Sequence, residues 1–374
     1  MADVSTALSR QHFPALDGLR GVAILLVLLH GFDVLQPTRL FGHALDDLLD
    51  LGWTGVQLFF VLSGFLITGI LLDTRGATRF YRSFFKRRFL RIFPLYYGVL
   101  LVSFVVLPWL GGPIDGSEHQ LWLWIYVENF AAPFGASVPA FPHFWSLCVE
   151  EQFYLLWPLL VRQLGRRGVI VLSGVLVFVA MASRIYVRHR LGEPIGHEAA
   201  YSFTPCRMDA LAVGALVAAL LRGGGRMAQM ANQRPGTVTV IGLLVLLGGI
   251  VGGHLQRTAA MMQAFGYTVI ALGFALVLVG ALNRSGLPAR LLCWAPLRHC
   301  GTYSYGMYVF YAPLHLFIGL PLLATLVAVP RLAEGLVYEV VGIAVTFLVG
   351  ASSWHLYERH FLALKARLAP LPVP

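Results

Sequence analysis

The sequence is poor in charged side chains. Only 12% of its 374 residues are Asp, Glu, Lys or Arg, whereas 57% are hydrophobic. Soluble globular domains carry about 25% charged residues, so this composition excludes an ordinary soluble enzyme, and a mean hydropathy of +0.72 agrees. Apolar stretches recur along the whole chain. The sequence therefore predicts one polytopic membrane domain over residues 1–374, with no appended soluble domain.

Cysteine is also scarce, with four residues in the whole chain, none of them at a metal-binding spacing. The sequence therefore predicts no metal site. It shows no internal repeat of the kind that indicates the inverted halves of a transporter. No small-residue cleavage site follows the first apolar segment, so we expect no removable signal peptide.

Ten apolar segments approach the roughly 20 residues that cross a bilayer. The predicted fold is therefore all-α, a bundle of about ten transmembrane helices. A further stretch, residues 121–130, is too short to span and is predicted to lie at the interface or to re-enter. The ten predicted spans are at about 16–36, 51–73, 94–110, 148–164, 168–187, 208–222, 237–253, 264–282, 303–325 and 336–357.

Basic residues set the predicted orientation. With the N-terminus inside, 21 of the 28 Lys and Arg residues fall on the cytoplasmic face and 7 on the other, as the positive-inside rule expects. The loop 74–93 alone holds seven. Both termini are therefore predicted to be cytoplasmic. Topology and anionic lipid explain the net charge of +10 without nucleic-acid binding.

The first predicted span, in "PALDGLRGVAILLVLLHGF" (14–32), contains two costly polar groups. Arg20 lies about one turn inside the cytoplasmic end, and His30 lies about 15 Å further along the helix axis. Ionisable groups inside a span cost about 2.5–3.5 kcal/mol on insertion scales and usually mark function. The alternative is that Arg20 reaches lipid phosphates and that His30 satisfies a neighbouring carbonyl.

A basic run, "FYRSFFKRRFLRIFP" (80–94), precedes the third predicted span, which Pro94 opens. The guanidinium fork suits phosphate, and Arg87 and Arg91 share one helical face. The run therefore predicts either a grip for a cytoplasmic donor with several phosphates, centred on Arg87, Arg88 and Arg91, or simple anchoring to anionic lipid.

Two adjacent carboxylates, Glu150 and Glu151, begin a span in "PHFWSLCVEEQFYLLWP" (142–158), with His143, Trp145 and Tyr154 nearby. The helix dipole favours one acidic residue at this position. Two at a membrane boundary favour a functional role, because a carboxylate beside a histidine orients the ring and raises its basicity.

Two further clusters are less specific. Ser63 and Gly64 interrupt the bulky segment 58–72, where small residues serve close helix packing or a substrate contact. Arg207 and Asp209 begin another span and are two residues apart. They do not pair across one helix face, so each is expected to find a partner on another helix.

Taken in order, these segments resemble the membrane acyltransferase-3 family. The resemblance runs from residue 16 to about 315 and implies transfer of an acyl group, most often acetyl, from cytoplasmic acetyl-CoA to a hydroxyl. It implies a bacterial inner-membrane enzyme whose acceptor is a carbohydrate, glycolipid or macrolide. It is carried by "LDGLRGVAILLVLLH", "GVQLFFVLSGFLIT", "FKRRFLRIFPLYY", "HFWSLCVEEQFYLLWP", "TPCRMDALAVGA" and "SYGMYVFYAPLH".

The resemblance also implies roles for individual residues. Arg20 would hold the donor, whose phosphates bind Arg87, Arg88 and Arg91. His30, oriented by Glu150 directly or through water, would be the general base or relay the acyl group. Arg20 or Arg207 would stabilise the oxyanion. The predicted substrate contacts are Ser63, Trp145, Tyr154, Arg207 and Asp209.

The chain departs from the family pattern at three places. Nine residues separate Arg20 and His30 instead of the usual ten, so Gly31 occupies the usual histidine position. An offset of ten residues turns His30 about 80° from the face of Arg20. The helix is therefore rewound at Gly31, or His30 reaches the site from the side, or His143 is the base. Gln57 and Tyr311 stand where relatives often have Asp and His.

Two other functions fit parts of the pattern. Polar residues along several spans also suit a transporter or flippase of a glycolipid or metabolite, which should ignore acyl-CoA. A degenerate family member would bind acyl-CoA but release no free CoA in the presence of an acceptor.

Overall fold

The computed structural model describes residues 13–32, 51–253, 256–319, 321 and 331–368, and among these it contains helices and no strand. The predicted all-α class is thus confirmed. We number the helices of eight or more residues in chain order: α1 Pro14–Gly31, α2 Thr54–Asp73, α3 Phe80–Leu101, α4 Trp145–Leu191, α5 Ile195–Ser202, α6 Thr204–Leu221, α7 Arg226–Gln233, α8 Pro235–Gly252, α9 Tyr267–Ala281, α10 Ala295–Leu314, α11 Arg331–Ser353 and α12 Arg359–Leu368.

Shorter elements join these helices. The short α-helices are Leu107–Trp109, Gln120–Trp124, Glu128–Ala131 and Leu287–Leu292. The 3₁₀ turns are Leu51–Trp53, Ser117–His119 and Ala132–Phe134, and the π-helical turns are Val102–Val106, Met262–Gly266, His315–Gly319 and Trp354–Glu358.

Within the described residues, eight helical segments are long and apolar enough to cross a membrane, so the chain is a multi-pass membrane protein. The count of ten spans and the cytoplasmic side of both termini stay predictions, since residues 1–12 and 369–374 lie outside the described part. The eight segments are Pro14–Gly31, Leu51–Asp73, Phe80–Trp109, Trp145–Leu191, Ile195–Leu221, Pro235–Gly252, Met262–Ala281 and Tyr338–Lys365.

The difference in count arises at two helices. Helix α4 contains two predicted spans, 148–164 and 168–187, which meet at Gly165 with a φ of 64° that only glycine adopts readily. The predicted span 303–325 begins in α10, which is not one of the eight, and ends outside the described residues.

The predicted interfacial stretch 121–130 forms two short helices and no span. It is tied to α3 by two hydrogen bonds, from the Tyr96 hydroxyl to the Leu123 carbonyl at 2.8 Å and from the Tyr97 hydroxyl to the Trp124 carbonyl at 3.1 Å. Glu128, which lies in this attached stretch, lines a cavity of the bundle.

Small residues bring the central helices together. A Cβ atom at Gly21 of α1 would overlap the Leu297 carbonyl oxygen of α10, and one at Gly64 of α2 would overlap the Leu211 carbonyl oxygen of α6. Such close backbone approach is typical of membrane helix packing. Gly64 therefore has the packing role that its sequence suggested.

A buried ion pair fixes the far side of the bundle. The Arg184 guanidinium of α4 lies 2.9 Å from the Asp209 carboxylate of α6, which also accepts a hydrogen bond from Thr268 at 2.6 Å. On the same helix, Arg207 donates to the Gln57 side-chain carbonyl of α2 at 2.6 Å. Each thus has its partner on another helix, as predicted.

Candidate active site

An internal cavity of about 100 Å³, the inner cavity, lies among α1, α2, α3, α4 and α10. Its wall is unusually polar for the interior of a membrane bundle, and it brings together six of the residues that the sequence predicted. The polar and charged groups that line it are Arg20, Ser63, Arg88, Arg91, Ser146, Glu150, Glu151, Tyr154, Ser304, Tyr305 and Tyr308.

The charged groups of the inner cavity have specific partners. The Ser63 hydroxyl donates a hydrogen bond of 2.6 Å to the Glu150 carboxylate. The Arg88 guanidinium lies 4.6 Å from the centre of the Tyr154 ring, a distance at which a cation is attracted to the ring face. Arg20 lies 3.8 Å from the Asp17 carboxylate. These contacts hold the side chains around the cavity.

A smaller basic pocket adjoins the inner cavity. Arg88 and Arg91 line both, and Arg87 and Lys365 complete the basic wall of the pocket, whose volume is about 60 Å³. The structure thus brings the three predicted phosphate-binding arginines together. Lys365 comes from α12 and was missed, because the basic residues near the C-terminus were counted only as part of the charge asymmetry that sets the predicted orientation.

A second internal cavity of about 430 Å³, the outer cavity, lies at the other end of α1. It contains His30 and Trp145 of the predicted site, together with polar groups that the sequence did not single out. Its polar and aromatic lining consists of His30, Trp53, Glu128, Ser137, His143, Trp145, Glu198, Tyr201, Ser202, Arg257, Tyr308, Tyr311 and His315.

Helix α1 stays regular through His30. The Phe32 N–H donates to the Leu28 carbonyl at 2.9 Å, so the rewinding considered for Gly31 is absent. Instead, a Cβ atom at Gly31 would lie 2.6 Å from a ring carbon of Tyr311. Gly52 also packs closely against α1, since its Cβ would lie 2.2 Å from the Leu26 carbonyl oxygen and 2.9 Å from the His30 backbone nitrogen.

His30 and Glu150 lie in different cavities. His30 lines the outer cavity, whereas Glu150 lines the inner one and bonds to Ser63 there. The structure therefore does not place Glu150 beside the His30 ring, where it would have to be to orient that ring directly. Arg20 and Glu150, in contrast, share the inner cavity.

His143 is a second imidazole in the outer cavity. Both ring nitrogens are buried and have no hydrogen-bond partner among the described residues. The ring centre lies 4.5 Å from that of Tyr311 and 5.1 Å from that of Tyr308. Burial lowers the pKa of His143 to about 3, so the ring is neutral at physiological pH.

The two cavities adjoin at Tyr308 and Val56, which line both of them. Its hydroxyl lies 2.5 Å from the Ser146 hydroxyl and donates to the His143 carbonyl at 2.9 Å. The two cavities therefore meet at a hydroxyl pair inside the bundle.

Arg207 and Asp209 line neither cavity. The Arg207 guanidinium is fully buried and is surrounded by four aromatic rings, of which Trp145 and Tyr201 line the outer cavity on their other side. Asp209 is occupied by Arg184 and Thr268. Both residues lie outside the lining of the two cavities, and their predicted contact with the substrate stays a prediction.

Comparison with known proteins gives a consistent result. An O-acetyltransferase of Staphylococcus aureus, OatA, is 26% identical over 338 residues, which cover 83% of this chain and 52% of the relative. A peptidoglycan O-acetyltransferase of Listeria monocytogenes, also called OatA, is 24% identical over 326 residues, which cover 83% of this chain and 50% of that protein. The chain thus spans about half the length of the curated relatives it matches.

No solved structure matches the chain significantly. The family profile described as "Acyltransferase domain" matches residues 13–354, which include the lining of both cavities and all of the basic pocket except Lys365. The sequence resemblance to the acyltransferase-3 family is confirmed, and the chain belongs to that family.

Proposed function

We propose that this chain is an O-acyltransferase of the bacterial inner membrane. It moves an acyl group, most simply acetyl, from cytoplasmic acyl-CoA to a hydroxyl of a carbohydrate, glycolipid or macrolide. The observation that carries the proposal is the pair of polar cavities that meet at Tyr308 within the bundle. One cavity adjoins a basic pocket that suits the donor, and the other contains three histidines, of which His30 and His143 suit the acceptor.

The donor enters at the basic pocket. Arg87, Arg88, Arg91 and Lys365 provide the positive charge and the N–H donors that bind phosphate groups. The inner cavity beyond them is narrow, so it accepts the extended thiol arm of coenzyme A and not its nucleotide. Arg20 lines that path and adds positive charge on the donor side.

The acceptor binds in the wider outer cavity. His30 takes the proton of the acceptor hydroxyl while its oxygen attacks the thioester carbonyl. A C–O bond forms and the C–S bond breaks, and the proton passes to the departing thiolate of coenzyme A. His143 lines the same cavity and is the second candidate for the base, but its pKa of about 3 makes it a weaker proton acceptor.

The oxyanion forms near the junction of the cavities. The Tyr308 and Ser146 hydroxyls lie there, and their O–H groups turn from the His143 carbonyl towards the oxyanion when the thioester is bound. Donors aimed at a developing negative charge in a water-poor site contribute strongly to catalysis. Arg20 adds a positive charge from the donor side, whereas Arg207 lies behind Trp145.

Thermal unfolding of the purified protein in detergent, with and without acetyl-CoA, tests the donor half of this proposal. A ligand that binds only the folded state stabilises it by about 2.7 kcal/mol at a hundredfold excess over Kd. We expect a clear rise in Tm for the wild type and none for the Arg87/Arg88/Arg91→Ala variant.

The matched control replaces three exposed arginines that line neither cavity, Arg226, Arg234 and Arg290, with Ala. It should keep the full response to acetyl-CoA. No response in the wild type to acetyl-CoA or longer acyl-CoAs would favour a transporter. A response without release of CoA in the presence of acceptors would indicate a degenerate member.

A further inference from the structure

Glu128 is a buried carboxyl group that the fold does not use. It is 1% exposed, and neither of its carboxyl oxygens has a hydrogen-bond partner in the described part of the chain. The next residue behaves differently, since the Asn129 amide donates to the Ser202 carbonyl and to the Thr204 hydroxyl. Asn129 therefore holds the loop, whereas the Glu128 carboxyl group is available to a ligand in the cavity that it lines.

An unpartnered buried carboxyl group destabilises the folded protein, because the group loses its water without gaining a protein partner. Burial raises the pKa of Glu128 to about 8, so the group is mostly neutral at neutral pH. A neutral carboxyl donates one hydrogen bond and accepts others. That pattern matches a neighbouring pair of hydroxyl or amide groups on a ligand.

The other ionisable groups considered in the outer cavity either have an oppositely charged partner or are neutral. Glu198 lies 3.5 Å from the Arg257 guanidinium, and His143 is neutral. His30 and His315 are the remaining imidazoles of the lining. Apart from the imidazoles of His30 and His315, the lining therefore has no unbalanced charge that would select a strongly ionic ligand.

Aromatic side chains provide the remaining wall. Trp145, Tyr201, Tyr308 and Tyr311 line the same cavity as Glu128. Aromatic faces pack against the C–H faces of sugar rings, while a few polar groups fix the orientation of the ligand. A wide cavity with five Trp and Tyr residues, Trp53 among them, and one unmatched carboxyl group has the chemistry of a site for a neutral sugar.

We propose that Glu128 binds the acceptor, with its carboxyl group hydrogen-bonded to two neighbouring O–H or N–H groups of a neutral sugar ring in the same cavity as His30. The inference rests on the proposed function and deepens it, because it assigns a binding residue and a ligand class to the outer cavity. The role explains why a destabilising group is kept at this position.

The experiment uses an N-acetylglucosamine pentasaccharide as the probe and the full chain in detergent. Binding is measured by thermal unfolding and by titration for the wild type, Glu128→Leu and Glu128→Gln. Glu118→Leu is the matched control, since Glu118 is an exposed glutamate of the same loop that lines neither cavity. The response to acetyl-CoA is measured in every variant.

We expect Glu128→Leu to bind the pentasaccharide about tenfold more weakly or worse, which corresponds to loss of a well-formed hydrogen bond. Glu128→Gln keeps a donor and an acceptor and should retain most of the affinity. The Tm of Glu128→Leu without ligand should equal or exceed that of the wild type. All variants should respond to acetyl-CoA as the wild type does.

Each other outcome is decisive. Equal binding of the sugar by Glu128→Leu and the wild type removes Glu128 from the site, and a wild type that ignores the sugar overturns the ligand class. A markedly lower Tm for Glu128→Leu shows that the residue is structural. Absence of any response to acetyl-CoA in the wild type, by contrast, rejects the proposed function itself.

Discussion

The contact between Gly31 and Tyr311 allows a quantitative prediction about the outer cavity. A Cβ atom at Gly31 would lie 2.6 Å and 2.9 Å from two ring carbons of Tyr311. Carbon atoms pack at about 3.5–4.0 Å, so Gly31→Ala requires the ring to move by about 1 Å. The ring cannot move freely, because it packs against those of His143, Tyr308 and Phe32.

Overpacking of this kind costs about 1–3 kcal/mol. Alanine recovers at most ~1 kcal/mol of helix propensity, and less at Gly31 because it is the last residue of α1. We therefore expect Gly31→Ala to destabilise the protein by about 1–2 kcal/mol, measured as a lower Tm in detergent. We also expect slower acyl transfer, because the displaced ring contacts His143, while acetyl-CoA binding stays unchanged.

A double-mutant cycle tests the cause. In a Tyr311→Ala background the ring is gone, so Gly31→Ala should be neutral or slightly stabilising, with a coupling energy of about 1 kcal/mol or more. Tyr311→Phe is the control, since it keeps the ring and should leave the penalty unchanged. An equal effect of Gly31→Ala in all three backgrounds would refute the argument that the Tyr311 ring occupies this space.

Asp209→Ala leaves the buried Arg184 guanidinium without its carboxylate and should cost about 3–5 kcal/mol; a variant that unfolds at the wild-type Tm contradicts this. The folded-state pKa of Glu128 is raised to about 8. The contribution of its protonated form to the free energy of unfolding is therefore complete below about pH 4.5 and is lost as the pH rises to 8, by up to ~5 kcal/mol. Glu128→Gln should abolish that decline in plots of Tm against pH. The folded-state pKa of His143 is lowered to about 3. The contribution of the neutral ring to the free energy of unfolding is therefore complete above about pH 6.5 and is lost as the pH falls towards 3. His143→Gln should reduce the fall of Tm in this acidic range. His30→Ala should lose acyl transfer and keep the response to acetyl-CoA, and full activity in that variant would remove His30 from the mechanism.

Much of the fold could be predicted because a bilayer allows few backbone conformations. Each span must satisfy its own N–H and C=O groups, so apolar length indicates where helices lie. Helix ends were harder to predict. Pro94 was expected to open the third span, yet α3 begins at Phe80 and continues through Pro94. The basic run therefore forms one helix with the apolar segment, and Arg88 and Arg91 lie at the inner cavity.

The site could be predicted only where a local pattern carries the chemistry. The run of arginines and the Arg20–His30 spacing are visible in short segments. The pairing of Ser63 with Glu150 joins residues 87 positions apart, and sequence periodicity contains no information about such distances. Glu128 was overlooked because its segment is too short to span, so nothing in the local pattern showed that it would line a cavity.

The proposed mechanism accounts for the spacing of Arg20 and His30, because one helix serves both substrates. In that mechanism the phosphates of the donor bind on the basic side of the bundle, whereas His30 meets a hydroxyl in the outer cavity about 15 Å further along the axis. A continuous polar channel over that length would let water reach the thioester and compete with the acceptor. The Tyr308 hydroxyl, hydrogen-bonded to Ser146 and to the His143 carbonyl, lies where the two cavities adjoin. In the proposed mechanism this junction keeps the two substrates apart except where the acyl group passes between them.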